Sequence, residues 1–257
     1  RNFWIFCNDM YHKHCQRRRF LKECAIAIDE LIKGKILSVS ISLPPRSGKS
    51  YLASLAAAYV IGLFPEESVM RNSCTATLYM KFSYDVRDIV KSNKFKKVFP
   101  NVKLSKDKAA VTGWNVEGAK QVTYFGNGVG GTIIGFGASK LAITDELYKS
   151  HEEALSDMIN DKTHRWFESA HTSRLEKGCL ELDIGTRWHK GDVIGVRKER
   201  HDYDVSIAIS ALIDDETFCD DVKTTDEYLY IKKITDPFIW VSEYMQDPID
   251  SIGLVFP

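Results

Sequence analysis

The stretch ILSVSISLPPRSGKSYLASLAAAYVIGLF, residues 36–64, decides the fold. Residues 36–43 form a strand-length run of aliphatic and β-branched side chains. PPRSGKS, residues 44–50, interrupts that run, and residues 51–64 read as a buried helix closed by Pro65. Strand, tight loop and helix in that order are the context a phosphate-binding loop requires. Pro45, Arg46, Ser47, Gly48, Lys49 and Ser50 are the candidate phosphate wrap. Gly48 lets the backbone approach a phosphate, and N–H groups of the loop and helix N-terminus can cradle it. Lys49 would reach the β- and γ-oxygens of a triphosphate as a point charge, and the Ser50 hydroxyl would serve Mg²⁺. Leu43 stands where the usual loop has its first glycine.

Outward from this loop the chain keeps a β–α rhythm. Leu21, Ala25, Ile28, Leu31 and Ile32 recur at helical spacing, and Lys33-Gly34 ends that helix. A second strand is expected over 68–73 and an amphipathic helix over 78–91. A β-ribbon is expected over 111–125, punctuated by Gly113, Gly118 and Gly126. The glycine-rich GNGVGGTIIGFGASK, 126–140, feeds the strand LAIT and then Asp145-Glu146. A helix over 151–167, the strand CLELDIGT and a helix opening near Gly191 complete the alternation. The pattern predicts an α/β fold with a mostly parallel central sheet and helices on both faces.

Composition narrows the function. At 257 residues, 44% hydrophobic and 27% charged, the chain can bury a sizeable core. Lys plus Arg and Asp plus Glu each number 35, a formal net charge of zero, which argues against coating nucleic acid by bulk charge. No apolar run approaches the roughly 20 residues of a membrane span. The first residues carry no signal-peptide pattern and no initiator Met, and the final SIGLVFP reads like the start of another element, so an excised domain is expected. Six scattered cysteines fit reduced thiols. Cys7 and Cys15 with His12 and His14 match no common zinc spacing.

Two further places carry chemistry. KLAITDE, 140–146, ends an apolar strand in two carboxylates, at the edge where such sheets bind ligands. Asp145 suits a carboxylate that holds Mg²⁺ through its water shell and Glu146 a base that orients and polarises the attacking water, although such a pair can also cap a following helix. Thr144 is oddly polar for a buried strand. LELDIGTRWHKGD, 180–192, ends another strand in Gly185-Thr186-Arg187, where Thr186 could sense a γ-phosphate. Arg187 could do the same or contact an acidic neighbour; a solvent-facing turn is the plain alternative.

PPRSGKS, then GVGGTIIGFGASKLAITDE, then GTRWHKGDVIG, with the late SEYMQDP at 242–248, resemble the large terminase subunits of tailed bacteriophages. The likeness spans about residues 20–248. It implies an ASCE-type P-loop NTPase, the ATPase domain of a viral DNA-packaging motor, with ATP and Mg²⁺ as cofactors. It places Walker A at Pro44 through Ser50, the Walker B aspartate at Asp145, the catalytic glutamate at Glu146 and a coupling motif at Gly185-Thr186-Arg187. Many relatives carry Asp-Asp where this chain has Asp145-Glu146. The resemblance further implies an ATPase domain over 1–236 and, over 237–257, the start of a linker or lid toward a nuclease domain that would make the parent an endonuclease. Implied partners are double-stranded DNA, a portal protein and a small terminase subunit. The implied assembly is a homo-oligomeric ring (a monomer as an isolated domain) with no membrane, in the host cytoplasm and docked on the procapsid.

A cation at the γ-phosphate is expected because it neutralises transition-state charge. Relatives often place a basic residue where this chain has Phe136, so Arg46 is the candidate in cis; Arg165, Arg174 and Arg187 are candidates for an arginine offered by a neighbouring subunit. Arg17-Arg18-Arg19 reads as a solvated helix face more readily than a DNA contact. Trp4, Tyr11 and Phe20 read as core rather than an adenine platform. The alternatives are another nucleic-acid P-loop NTPase, helicase-like, and a nucleotide-binding scaffold that does not hydrolyse.

Overall fold

The structure, a computed structural model, describes residues 2–133 and 135–249. The expectation that SIGLVFP opens a further element falls outside those residues.

The chain opens with α1 (Phe3–Arg17), which the sequence reading does not anticipate. Asn2 caps it by accepting from the Ile5 N–H at 2.9 Å. Its face of Phe3, Phe6, Cys7 and Met10 is buried, with the Phe6 ring 4.9 Å from Tyr59. Tyr11, at φ −143° and ψ 55°, breaks the helical geometry and turns the last segment of α1 toward the phosphate loop. Helix α2 (Leu21–Ile32) follows the expected spacing, and then come β1 (Ser38–Ser42) and α3 (Lys49–Leu63). Next are β2 (Val69–Ser73), α4 (Ala76–Lys91) and α5 (Asn93–Val98). The ribbon β3 (Leu104–Ala110), β4 (Gly113–Val116) and β5 (Tyr124–Phe125) is antiparallel, and it begins before the expected residue 111.

Strand β6 (Leu141–Asp145) carries the acidic pair at its end. The helix expected over 151–167 is broken: α6 (His151–Leu155) ends at Ser156 and α7 (Asp157–Trp166) restarts there, running on into a π-helical turn over Phe167–His171. Ser156 is extended, at φ −77° and ψ 109°, which stops the first helix after one turn. Strand β7 (Leu180–Gly185) and α8 (Val193–Glu199) follow as expected, then β8 (Val205–Ala208), β9 (Leu212–Ile213) and β10 (Glu216–Thr217). The described residues end with α9 (Thr225–Ile234), α10 (Pro237–Ile239) and a π-helical turn over Trp240–Tyr244.

The main sheet runs β3-β4-β5-β2-β6-β7-β1-β8. Every pairing from β5 to β8 is parallel. Alternation along the strands explains the layers. Val39 and Ile41, Leu141 and Ile143, and Leu182 and Ile184 belong to one apolar core with α1 to α5. Met70 and Ala142 belong to a second core with Trp166, Phe167 and Val193. A third cluster, Ala211, Leu212, Tyr228 and Trp240, sits in a small C-terminal unit and spans both sides of residue 236.

The same alternation accounts for Thr144. Its side chain lies on the sheet face opposite Asp145, and its hydroxyl donates to Asp183 Oδ1 at 2.5 Å. Asp183 also accepts from Arg197 and Tyr203 at 2.5 Å each. A polar residue in a buried strand is tolerated when its hydrogen bonds are met inside the protein.

Candidate functional site

Gly48 is the N-cap of α3 and adopts φ 94°, a left-handed conformation that a side chain would strain. A Cβ there would lie 2.8 Å from His14 Nε2, so α1 closes over the loop at this point. No side chain caps α3, which leaves its first-turn N–H groups to face the ligand side of the loop. The second glycine-rich stretch serves packing instead. A Cβ on Gly126 would come within 1.7 Å of the Arg71 carbonyl oxygen, so only glycine lets that segment lie against β2.

Three strand ends meet beside the loop. Lys49 is buried, and its Nζ donates to Thr186 Oγ1 at 2.8 Å and pairs with Glu146 Oε1 at 2.9 Å. Thr186 binds both carboxylate oxygens of Glu146, through its hydroxyl at 3.1 Å and its N–H at 3.3 Å. Ser50 Oγ donates to Asp145 Oδ1 at 3.0 Å. Glu146 itself takes φ 55°, unusual for a residue with a side chain. Its backbone is pinned from both neighbouring strands: its N–H donates to the Ile184 carbonyl at 3.2 Å and its carbonyl accepts from the Cys74 N–H at 2.7 Å. The acidic pair does not cap α6, because Ser150 does, accepting from the Glu153 N–H at 3.3 Å.

Asp145 is fully buried, and burial pushes its pKa above the ordinary carboxylate range despite the Arg71 guanidinium beside it. Glu243, from the C-terminal π-helical turn, is also pushed up, first by burial and then by the charge of Glu146, with Lys49 opposing.

The structure brings Lys49, Ser50, Asp145, Glu146 and Thr186 together. Arg46 is placed differently. It sits at φ 67° with an exposed side chain, and its carbonyl accepts from Arg18 Nη1 at 2.7 Å. Arg187 is buried in an ion pair with Asp192 at 3.0 Å, and its N–H donates to Gln246 Oε1 at 3.0 Å. It therefore contacts an acidic neighbour, as one of its two readings has it, and its burial keeps it from being offered to another subunit. Arg165 is exposed beside Asp161, and Arg174 is half-buried. Pro45 and Ser47 lie in the loop, with the Ser47 hydroxyl buried and unpartnered. Cys7 and Cys15 lie in the apolar core, where burial raises both thiols.

Three residues gain their contacts at the site only in the structure. Arg71, on β2, has no exposed surface and pairs with Asp145 Oδ2. One signal was available: a cation with the same strand parity as the buried Val69. Gln246, reaching back to Arg187, and Glu243, near Lys49, lie in the SEYMQDP stretch that carries part of the resemblance, but no local pattern says what either side chain touches.

Strand β7, with its polar tip, lies between the loop strand β1 and the acidic strand β6, which is the ASCE arrangement. This is a P-loop NTPase fold. No protein-family model and no curated protein matches the sequence. Similar solved structures are large terminases. An ATPase-domain mutant of the Thermus phage P74-26 large terminase aligns at 15% identity over 87% of this chain and 92% of that one, with a TM-score of 0.50. The HK97 bacteriophage large terminase aligns at 17% identity over 76% of this chain, with a TM-score of 0.51. A large terminase of a thermophilic bacteriophage, in complex with ATP-gamma-S, aligns at 8% identity over 84% of this chain, also at 0.51. This chain spans 40% and 50% of those last two. At such identities the likeness is one of fold.

Proposed function

We propose that the chain is an ATP-hydrolysing motor domain of the terminase type. One observation carries this reading: at three adjacent strand ends Lys49 meets Glu146 and Thr186 while Ser50 meets Asp145. The fold shared with large terminases supports the motor assignment over a generic nucleotide-binding role.

The donor set fits a magnesium nucleotide. Ser50 and Asp145 offer two hard oxygens 3.0 Å apart, the sparse protein contribution Mg²⁺ takes when phosphates supply the rest. Ser50 and Asp145 would hold the metal, whose charge would offset that of the β- and γ-oxygens. The uncapped N-terminus of α3 and the glycine cap receive the phosphates. Lys49 leaves Glu146 to meet the γ-phosphate, and Glu146 then accepts a proton from the water that attacks phosphorus as the bond to the leaving ADP breaks. Thr186, touching both Lys49 and Glu146, registers that exchange and passes it to Arg187 and the 242–248 segment through Gln246.

Arg46, exposed at the mouth of the loop, is the cis candidate for charge neutralisation; Arg165 and Arg174 remain candidates in trans. Because the chain spans half or less of the two longer terminases, translocation of double-stranded DNA belongs to this proposal rather than to the site itself. So do a portal and small-subunit partnership, a ring assembly, a nuclease domain and a cytoplasmic, procapsid-docked location. The test is ATP turnover by the purified chain. Glu146→Gln should lower it about 10²–10⁴-fold while an ATP analogue still binds. Wild-type turnover in that variant contradicts the assignment of the base.

A further inference from the structure

Arg71 has no exposed surface, and a buried guanidinium needs its charge met; its Nε makes no hydrogen bond, so Nη1 and Nη2 carry the contacts. Its Nη1 donates to Ser54 Oγ at 2.8 Å. Its Nη2 donates both to the Ser50 carbonyl at 2.9 Å and to Asp145 Oδ2. The Phe82 ring lies 3.8 Å from the guanidinium carbon, so α4 braces it from behind. One nitrogen thus grips the two residues that, on the reading above, hold the metal. The Asp145 oxygen it takes is the one not facing Ser50, since Oδ1 accepts from Ser50 Oγ. Lysine would do this less well, because its three donors sit on one nitrogen, whereas Arg71 reaches the hydroxyl with Nη1 and the carbonyl and carboxylate with Nη2 of one rigid plane.

We propose that Arg71 is a positioning residue for the metal site: it fixes the Ser50–Asp145 spacing and reserves Oδ2, so that Asp145 presents a single oxygen. A one-oxygen carboxylate suits Mg²⁺, which demands near-octahedral geometry and few protein ligands. Ca²⁺ accepts two carboxylate oxygens and a larger, looser shell. Arg71 therefore sets the preference of the site for the smaller ion. This rests on the proposed function, and the test separates the two.

The experiment follows binding of a fluorescent, non-hydrolysable ATP analogue to the full chain while Mg²⁺ or Ca²⁺ is titrated. In the unsubstituted chain Mg²⁺ tightens binding more than Ca²⁺. Arg71→Lys keeps the charge and loses the fork. It should leave metal-free binding near its starting value, weaken the apparent Mg²⁺ affinity about 10–100-fold, and lower the Mg²⁺-to-Ca²⁺ preference. Should that variant fail to melt cooperatively, Ser54→Ala removes one anchor of the guanidinium without touching the ion pair, and the preference should fall in the same direction by less. A folded variant of either kind with the original preference overturns the role of Arg71. An unsubstituted chain that binds the analogue no better with metal than without overturns the proposed function instead.

Discussion

Two aspartates on neighbouring strands, Asp145 on β6 and Asp183 on β7, are both buried and both face an arginine. They differ in how fully they are satisfied. Asp183 accepts from Thr144, Arg197 and Tyr203, and although burial pushes its carboxyl up, those partners pull it below the usual range. Asp145 has Arg71 and one serine hydroxyl, stands next to Glu146, and is pushed above the usual range by burial. A carboxylate with three fixed donors braces the sheet. One whose remaining oxygen rests on a hydroxyl, at a strand end beside a phosphate loop, is ready for a cation. The same residue pair therefore serves as structure in one strand and, in the proposed function, as chemistry in the next.

The comparison can be broken first at the brace. Arg197→Met leaves Asp183 buried without its main counter-charge and should cost about 3–5 kcal/mol of stability in urea unfolding. Nucleotide affinity of the folded fraction should stay unchanged. A loss below about 1 kcal/mol would put Asp183 and Asp145 in one class.

Acid sharpens the contrast with a smaller effect. Asn72 Oδ1 accepts from the Asn127 N–H at 2.9 Å, so its amide nitrogen faces His171 Nδ1, also at 2.9 Å. Nδ1 must then accept, and burial lowers the His171 pKa to about 4. The unfolded chain takes up this proton at higher pH than the folded one, so stability falls as pH drops from about 6.5 toward 4, by up to about 3 kcal/mol. Asp183, held below the usual carboxylate range, adds to the loss at still lower pH. Urea midpoints at several pH values should show this decline, and His171→Gln should flatten it between 6.5 and 4. An equal decline in the variant would show that His171 is not the group that loses stability in acid.

The parts of this molecule legible in sequence are those whose physics is local. The PPRSGKS loop announces itself by a strand, a glycine before lysine and an apolar helix, and the KLAITDE strand by its run of aliphatic residues ending in acid. Thr144 reads only as an odd polar residue and Thr186 as a sensor with no named partners, because Asp183, Glu146 and Lys49 arrive from other strands or helices. Arg71 is silent for the same reason: its four contacts come from α3, α4 and β6. Helix α1 was hidden because its buried face includes Cys7 and Met10 within a polar-looking run, and because Tyr11 breaks its periodicity. The split at Ser156 has a faint local mark, a serine before an acidic first turn, but the serine makes no capping bond and the apolar spacing runs across it.

Where a triphosphate settles decides the role of this site most directly. A structure of the full chain with Mg²⁺ and a non-hydrolysable ATP analogue should show the phosphates against Gly48 and Lys49, the metal beside Ser50 Oγ and Asp145 Oδ1, and Lys49 released from Glu146. A nucleotide held elsewhere, or a loop that binds phosphate while Asp145 and Glu146 keep their present partners, would contradict that role.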